Sequence, residues 1–270
     1  MANTGTKGAG GPARVAGIFR YPVKGLSGEA LDGVDLAAGE TLPFDRAFAI
    51  ENGPGGFDPE APRHLPKTAF VMLMRHERLA ELDTRFDPET TTLEIRREGA
   101  SVASGRLGEE AGRAAIERFI AGFIGERLRG PPRIVASPGH SFSDVGAKCV
   151  SIINLESVRE IERVAGQTVE PIRFRGNIYV DGLAPWAEFG WVGREVRVGQ
   201  VLLAPFKRTA RCAATTVNPR TARRDINIPD LLVRAFGHAE CGIYARVVSG
   251  GRLERGMAAR IESAGEPRPD

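Results

Sequence analysis

The sequence predicts an α+β fold, rich in β structure and divided into two lobes. Three observations lead there. Glycine and proline number 33 and 18 in 270 residues, so turns are frequent and strands short. Apolar residues come mostly in short runs or in alternation, and only three segments take up the helical period. The longest of these closes on Gly130-Pro131-Pro132, which puts a natural boundary near residues 131–145. The expected layout is a flexible tail over residues 1–13, a first lobe over 14–135 and a second over 136–265.

Order begins with "RVAGIFRYPVKGL", a strand that stops near Tyr21-Pro22. "DRAFAIE" is short and β-like, with Arg46, Phe48 and Ile50 on one face and Ala47 and Ala49 on the other. Residues 52–67 form a loop, because proline and glycine interrupt any ladder. "TTLEIRREG" is a further strand. In "EEAGRAAIERFIAGFIGERLRGPP" the residues Ile116, Phe119, Ile120, Phe123, Ile124 and Leu128 recur at three- and four-residue steps, an amphipathic helix. The apolar run "CVSII" predicts a strand. Asn154 caps the helix "LESVREIERVAG", and Gly166 ends it. In the β-rich last hundred residues, "RFRGNIYVDG", "REVRVGQVLLAPFKR" and "GIYARVVSGGRLERG" predict strands joined by glycine turns. One helix, "IPDLLVRAFG", lies among them, with Pro229 at its start and Gly237 at its end.

Composition narrows the function. Charged residues make up 26% and hydrophobic residues 42%, the balance of a folded domain, and a net charge of +3 does not announce a nucleic-acid binder. Three cysteines, an odd number, argue against a disulfide framework and for a reducing compartment. The N-terminal residues lack the apolar core of a signal peptide, and no apolar run approaches the roughly 18 residues of a membrane span. A cytoplasmic protein without nucleic-acid or membrane partners is expected.

The densest basic stretch is "FKRTARCAATTVNPRTARRD" (206–225), and Cys212 stands inside it. Adjacent cations favour a thiolate, and a thiolate is the form that reacts or binds soft metals. Arg173, Arg175, Arg208, Arg211, Arg223 and Arg224 fall in loops or near strand ends. They either grip a phosphorylated or anionic ligand beside the thiolate or protect solvated strand edges. Lys24 follows a proline-stiffened strand end, where a point charge can sit at a pocket rim. His238 and Cys241 in "GHAECG" could ligate zinc together with Cys212, or Cys212 could be a packed structural cysteine. No phosphate-cradling, dinucleotide-binding or nucleophile-elbow motif is present, nor an iron–sulfur spacing, so any electrons must come from another chain.

Taken in order, "YPVKG", "DRAF", "RFRGNIYVDG", "TARCAATTVNPRTARRD" and "CGIYARVV" resemble the molybdenum-cofactor sulfurase C-terminal (MOSC) domain family. The resemblance is to members with an N-terminal MOSC-associated β-barrel, such as the mitochondrial amidoxime-reducing component, and spans about residues 14–260. It implies an N-terminal β-barrel lobe followed by a MOSC β-barrel, with a molybdopterin molybdenum cofactor between them. It implies that Cys212 ligates the molybdenum and is catalytic. Lys24, Arg46, Arg175, Asn177, Arg211 and Tyr244 would bind the cofactor, with Thr215 and Thr216 behind the cysteine and Lys148 nearby. Gly25 and Ala210 stand where relatives carry serine, and Asn218 replaces a common aspartate.

The activity implied is reduction of N-hydroxylated or related N- or S-oxygenated small molecules, with electrons from a separate flavin, haem or iron–sulfur reductase. The alternative is a cofactor or sulfur carrier, in which Cys212 accepts sulfur or metal without turnover. A third reading is an anion-binding β-protein with a structural cysteine.

Overall fold

A computed structural model describes residues 13–53 and 55–262. The tail expected over residues 1–13 lies outside these, except for Ala13. The first part of the chain gives β1 (Ala13–Arg20), β2 (Glu29–Leu31), β3 (Gly33–Leu36) and β4 (Phe48–Glu51), then β5 (Leu82–Asp87), β6 (Thr92–Arg97) and β7 (Ala100–Arg106). Helix α1 (Glu110–Ile124) and β8 (Arg133–Ala136) follow. The second part gives β9 (Val150–Asn154), α2 (Leu155–Ala165), β10 (Ile178–Asp181), β11 (Val196–Val198) and β12 (Val201–Ala210). It ends with α3 (Ile228–Phe236), β13 (Glu240–Ser249), β14 (Gly251–Glu254) and β15 (Ala258–Ile261). The fold is β-rich α+β, as the sequence predicts.

Strand β1 does not stay with the residues that follow it. It pairs with β10 on one side and β15 on the other, and so closes the ring β1-β10-β9-β13-β12-β11-β15, a seven-stranded barrel. The barrel is otherwise built from the second half of the chain. All its pairs are antiparallel except β9–β10, whose parallel crossover is α2. Val15, Ile18, Val150, Ile152, Leu203 and Ile243 fill the interior. Helices α2 and α3 cover one outer face through Val158, Ile161, Ile228 and Leu232.

The other lobe pairs β4 with β8 and carries the meander β5-β6-β7. Helix α1 presents Ile116 and Ile120 to its core beside Ile50, Leu82 and Ile95. This helix ends at Ile124, short of the predicted glycine-proline stop, because Gly125 takes φ 65° and breaks the ladder. Asn154 caps α2 by accepting the Glu156 N–H at 3.1 Å, and Gly166 closes it in the left-handed region, both as expected. Arg46 does not share the Phe48–Ile50 face: it precedes β4 with φ 52°. Likewise "RFRGNIYVDG" is strand only over Ile178–Asp181, since Pro171–Phe174 forms a 3-10 turn and Arg175 takes φ 51°. Among the described residues no helix is long and apolar enough to cross a membrane.

Removing β1 would leave β10 and β15 as bare edges around an apolar interior. We expect residues 13–262 to unfold in one cooperative thermal transition and residues 137–262 alone to show none. A cooperative transition in the shorter fragment would make β1 dispensable.

Candidate functional site

The chain leaves β1 at Arg20 and turns through Tyr21–Gly25 into the seam between the lobes. Tyr21 is fully buried, and its ring lies beneath two guanidiniums, Arg175 at 4.4 Å and Arg46 at 4.8 Å. Both arginines sit in the left-handed region, which costs a non-glycine residue about 1–2 kcal/mol. The backbone is held there from several sides. Arg46 N–H donates to the Tyr21 carbonyl at 2.6 Å, and the Arg46 side chain donates to the Arg175 carbonyl at 2.9 Å and to the Asp45 carboxylate. Asp45 also accepts the Tyr21 N–H at 2.9 Å. Gly25 has φ 88°, and a Cβ there would stand 2.5 Å from the Val71 carbonyl oxygen. The serine of the family pattern does not fit this backbone.

One cavity collects the predicted residues. Lys24, Arg46, Arg175, Asn177, Arg211, Cys212 and Tyr244 all line it, drawn from five separate segments. Thr215 lines it too. Thr216 faces away from it and donates to the Ala213 carbonyl, and Lys148 is outside, paired with Glu40 at 2.6 Å. Lys67, Met72, Asp144, Cys149 and Thr209 also line it, and sequence reasoning missed them, because they come from loops and from β12 without motif character.

Two of the predicted residues brace the wall. Asn177 accepts the Ser151 N–H and hydroxyl at 3.0 and 2.9 Å and donates to the Phe19 carbonyl at 3.2 Å, tying β9, β10 and β1 together. Arg211 donates to the Phe174 carbonyl at 2.9 Å and the Cys241 carbonyl at 2.7 Å. By contrast, among the described residues the Arg175 guanidinium donates to no other group. Lys24 is buried, 2.8 Å from the Phe142 carbonyl and 2.5 Å from Asp144 at the rim.

Positive charge dominates this cavity. Lys24, Lys67, Arg46, Arg175 and Arg211 face only Asp45 and Asp144. Burial pushes the Lys24 ammonium and the Arg175 guanidinium below their usual ranges, and the neighbouring carboxylates restore only part of this. For Arg46 burial acts the same way, but Asp45 together with Tyr21 and Tyr244 outweighs it and the pKa rises. Burial raises the Tyr244 phenol, so its hydroxyl stays protonated and able to donate. Thr209 is 3% exposed, and its hydroxyl has no partner among the described residues. Such a cavity is built for an anion with several acceptors.

Cys212 stands where β12 leaves the barrel, at the head of the 3-10 turn Ala213–Thr216, and is half-buried. Thr215 donates both N–H and hydroxyl to its carbonyl, at 3.0 and 2.9 Å. Arg224 locks this turn. It donates to the Ala213 carbonyl at 3.0 Å and the Thr216 hydroxyl at 2.8 Å, and across the seam to the Met74 carbonyl at 2.8 Å and the Leu73 carbonyl at 3.3 Å. Leu73 and Met74 form the facing wall.

Arg173 lines the cavity, but its charge is met by Asp225, through paired bonds of 2.7 and 2.8 Å, and by Glu170. Asn218 donates to the same Asp225 at 2.6 Å, a contact an aspartate would turn into repulsion. Cys149 and Cys241 are buried, and burial raises their thiols to about 11 and about 12. His238 packs against the rings of Trp186 and Phe189, and among the described residues no three His, Cys, Asp or Glu side chains gather as a metal site.

Residues 137–260 match the MOSC domain family, and residues 12–121 match the MOSC N-terminal beta barrel domain family. Among solved structures, the YuaD protein of Bacillus subtilis is 15% identical, with 92% of this chain and 94% of that chain covered at a TM-score of 0.43. YiiM from Geobacillus stearothermophilus is 18% identical over 43% of this chain and 55% of its own, at a TM-score of 0.35. YiiM from Escherichia coli is 17% identical over 44% and 56%, at 0.33. Likeness at this distance carries no argument about function. No curated protein matches the chain.

Two tests address the wall that faces Cys212. Arg224→Met should release the turn from Leu73 and Met74, speeding alkylation of Cys212 several-fold. It should cost only about 1 kcal/mol of stability, because the Arg224 side chain is partly in water. An unchanged alkylation rate would show that the clamp does not hold the turn. The second concerns His76, on the same segment as Met72–Met74, which is 4% exposed with neither ring nitrogen partnered. Burial lowers its pKa from the ordinary 6.5, so the unfolded chain takes the proton more readily. The stability it contributes is full above that value and is lost as pH falls below it. Urea midpoints should therefore drop between about pH 7.5 and 5.5, and drop less in His76→Phe. Parallel curves would exclude His76 as the source.

Proposed function

We propose, from the premise that this chain belongs to the MOSC family, that it is a molybdenum-cofactor oxidoreductase acting on N-hydroxylated or related N- or S-oxygenated compounds. One observation carries the reading: a cavity with an excess of buried cations opens beside a half-buried cysteine thiol. A phosphate monoester brings roughly −1.5 to −2 charges and several acceptor oxygens, which suits Lys24, Arg46 and Arg175. The orphan Thr209 hydroxyl and the protonated Tyr244 phenol suit a heterocycle rich in acceptors. The Cys212 sulfur suits a soft metal, and among the described residues no three His, Cys, Asp or Glu side chains gather as a metal site of their own. The donor set therefore fits a phosphorylated pterin that carries the metal.

When bound, the molybdenum centre would supply the oxygen-transfer and redox chemistry that no side chain here provides. The protein's own work is positional. Lys24 and the two left-handed arginines fix the anionic end, and Arg211 and Asn177 keep the walls rigid. The Arg224-braced turn sets the direction of the Cys212 sulfur. Reduction of an N–OH group takes in an electron pair and two protons and releases water. The electrons come from a separate flavin, haem or iron–sulfur protein.

The test is Cys212→Ser. Wild-type protein should contain molybdenum and release a pterin that fluoresces after oxidation, and with a chemically reduced dye it should reduce N-hydroxybenzamidine. The serine variant should keep part of the pterin, because Lys24 and the arginines remain, while turnover falls to background. Equal turnover in the variant would remove Cys212 from the metal. Cofactor without turnover of any N- or S-oxygenated substrate would favour the carrier.

A further inference from the structure

A second cavity of about 330 Å³ lies against the first. The two share a wall of Gly25, Leu73, Arg173, Arg175 and Ala214, and Ala214 is two residues past Cys212. Their chemistry differs. The first is lined by cations, whereas the second is walled by Leu26, Leu79, Leu82, Ile172 and Val217, again from both lobes. Its walls also carry Ser27, Glu81, Asp83, Arg173 and Arg175 at the margins, and the fully buried Tyr21 has a hydroxyl without a partner among the described residues. Gly28 packs against the edge of that ring, where a Cβ would stand 2.5 Å from Tyr21 Cε1.

An apolar cavity of about 150 Å³ holds a benzene ring, so this chamber takes a ring with substituents. A buried, unpartnered hydroxyl in an apolar wall calls for one hydrogen-bonding group on the occupant. Resting on the function proposed above, we infer that this chamber receives the organic body of the substrate. Substrates are then aryl or branched alkyl compounds, seated on the leucines with a polar substituent toward Tyr21, whose oxygenated nitrogen or sulfur faces the shared wall.

Ala80 lines the chamber and is only partly buried, so it can be enlarged without opening the core. The experiment compares N-hydroxybenzamidine, which has a ring, with hydroxylamine, which has none. In Ala80→Phe the ratio of their kcat/KM values should fall at least tenfold, mainly through KM for the aryl compound, and Ala80→Leu should fall between. A ratio equal to wild type in both variants overturns the inference. If wild-type protein turns over neither compound, the proposed function fails, and the chamber is read by saturation-transfer NMR with N-hydroxybenzamidine. Ring signals weakened in Ala80→Phe support the chamber, and equal or absent signals overturn it. A nucleoside monophosphate released from wild-type protein on mild hydrolysis, and absent from Ala80→Phe, would give the chamber to the cofactor and overturn the inference as well.

Discussion

Positive charge buried at the seam between two lobes is the constraint on which the rest of this structure depends. Removing a cation from water costs several kcal/mol unless geometry and counter-charge are good. Here Lys24, Arg46 and Arg175 come together beside Asp45 and Asp144, and the carboxylates do not balance them. The Tyr21 face softens the cost, at about 0.5–2 kcal/mol for each guanidinium over it. What remains shows as the lowered pKa values of Lys24 and Arg175. On the function proposed here, a phosphate placed among them would reverse that shift.

The barrel topology makes this arrangement possible. Strand β1 is fixed on both edges by β10 and β15, so Tyr21–Gly25 leaves a rigid ring and not a loose terminus. Arg175 leaves the same ring just before β10, the strand beside β1, and Cys212 leaves it at the end of β12. Three exits from one barrel thus aim at one point. The other lobe supplies Arg46 and the Met72–Met74 wall, and Arg224 ties that wall back to the cysteine turn. Left-handed arginines persist because bonds such as Arg46 to the Arg175 carbonyl join the strained residues to each other.

Much of this was legible in the sequence, for identifiable reasons. Helix α2 could be bounded because Asn154 and Gly166 act locally, and the β11–β12 hairpin because Gly199 punctuates it. The cavity residues Lys24, Arg46, Arg175 and Cys212 stood out through the ordered motifs that carry them. The pairing of β1 with β10 did not, because partners 160 or more residues apart leave no periodic trace. Nor did Thr209, within β12, or Cys149, just before β9, which become cavity lining only through the way the chain is folded around them. The expected strand face of Arg46 failed because alternation assumes extended backbone, and φ 52° abandons it.

The departures from the family pattern follow the same logic of local compensation. Gly25 gives up a serine hydroxyl, but the Val71 carbonyl, 2.5 Å from any Cβ, forbids a side chain there. The Met72 segment packs directly on Gly25, and the same segment brings Lys67 and Met72 into the wall. Asn218 exchanges a charge for an amide donor and so lets Asp225 serve both Asn218 and the fully buried Arg173. With its charge held in that way, Arg173 adds rigidity and not free charge to the shared wall. The positive charge left without a carboxylate partner among the described residues is that of Lys67, Arg175 and Arg211, and all three line the cavity beside Cys212.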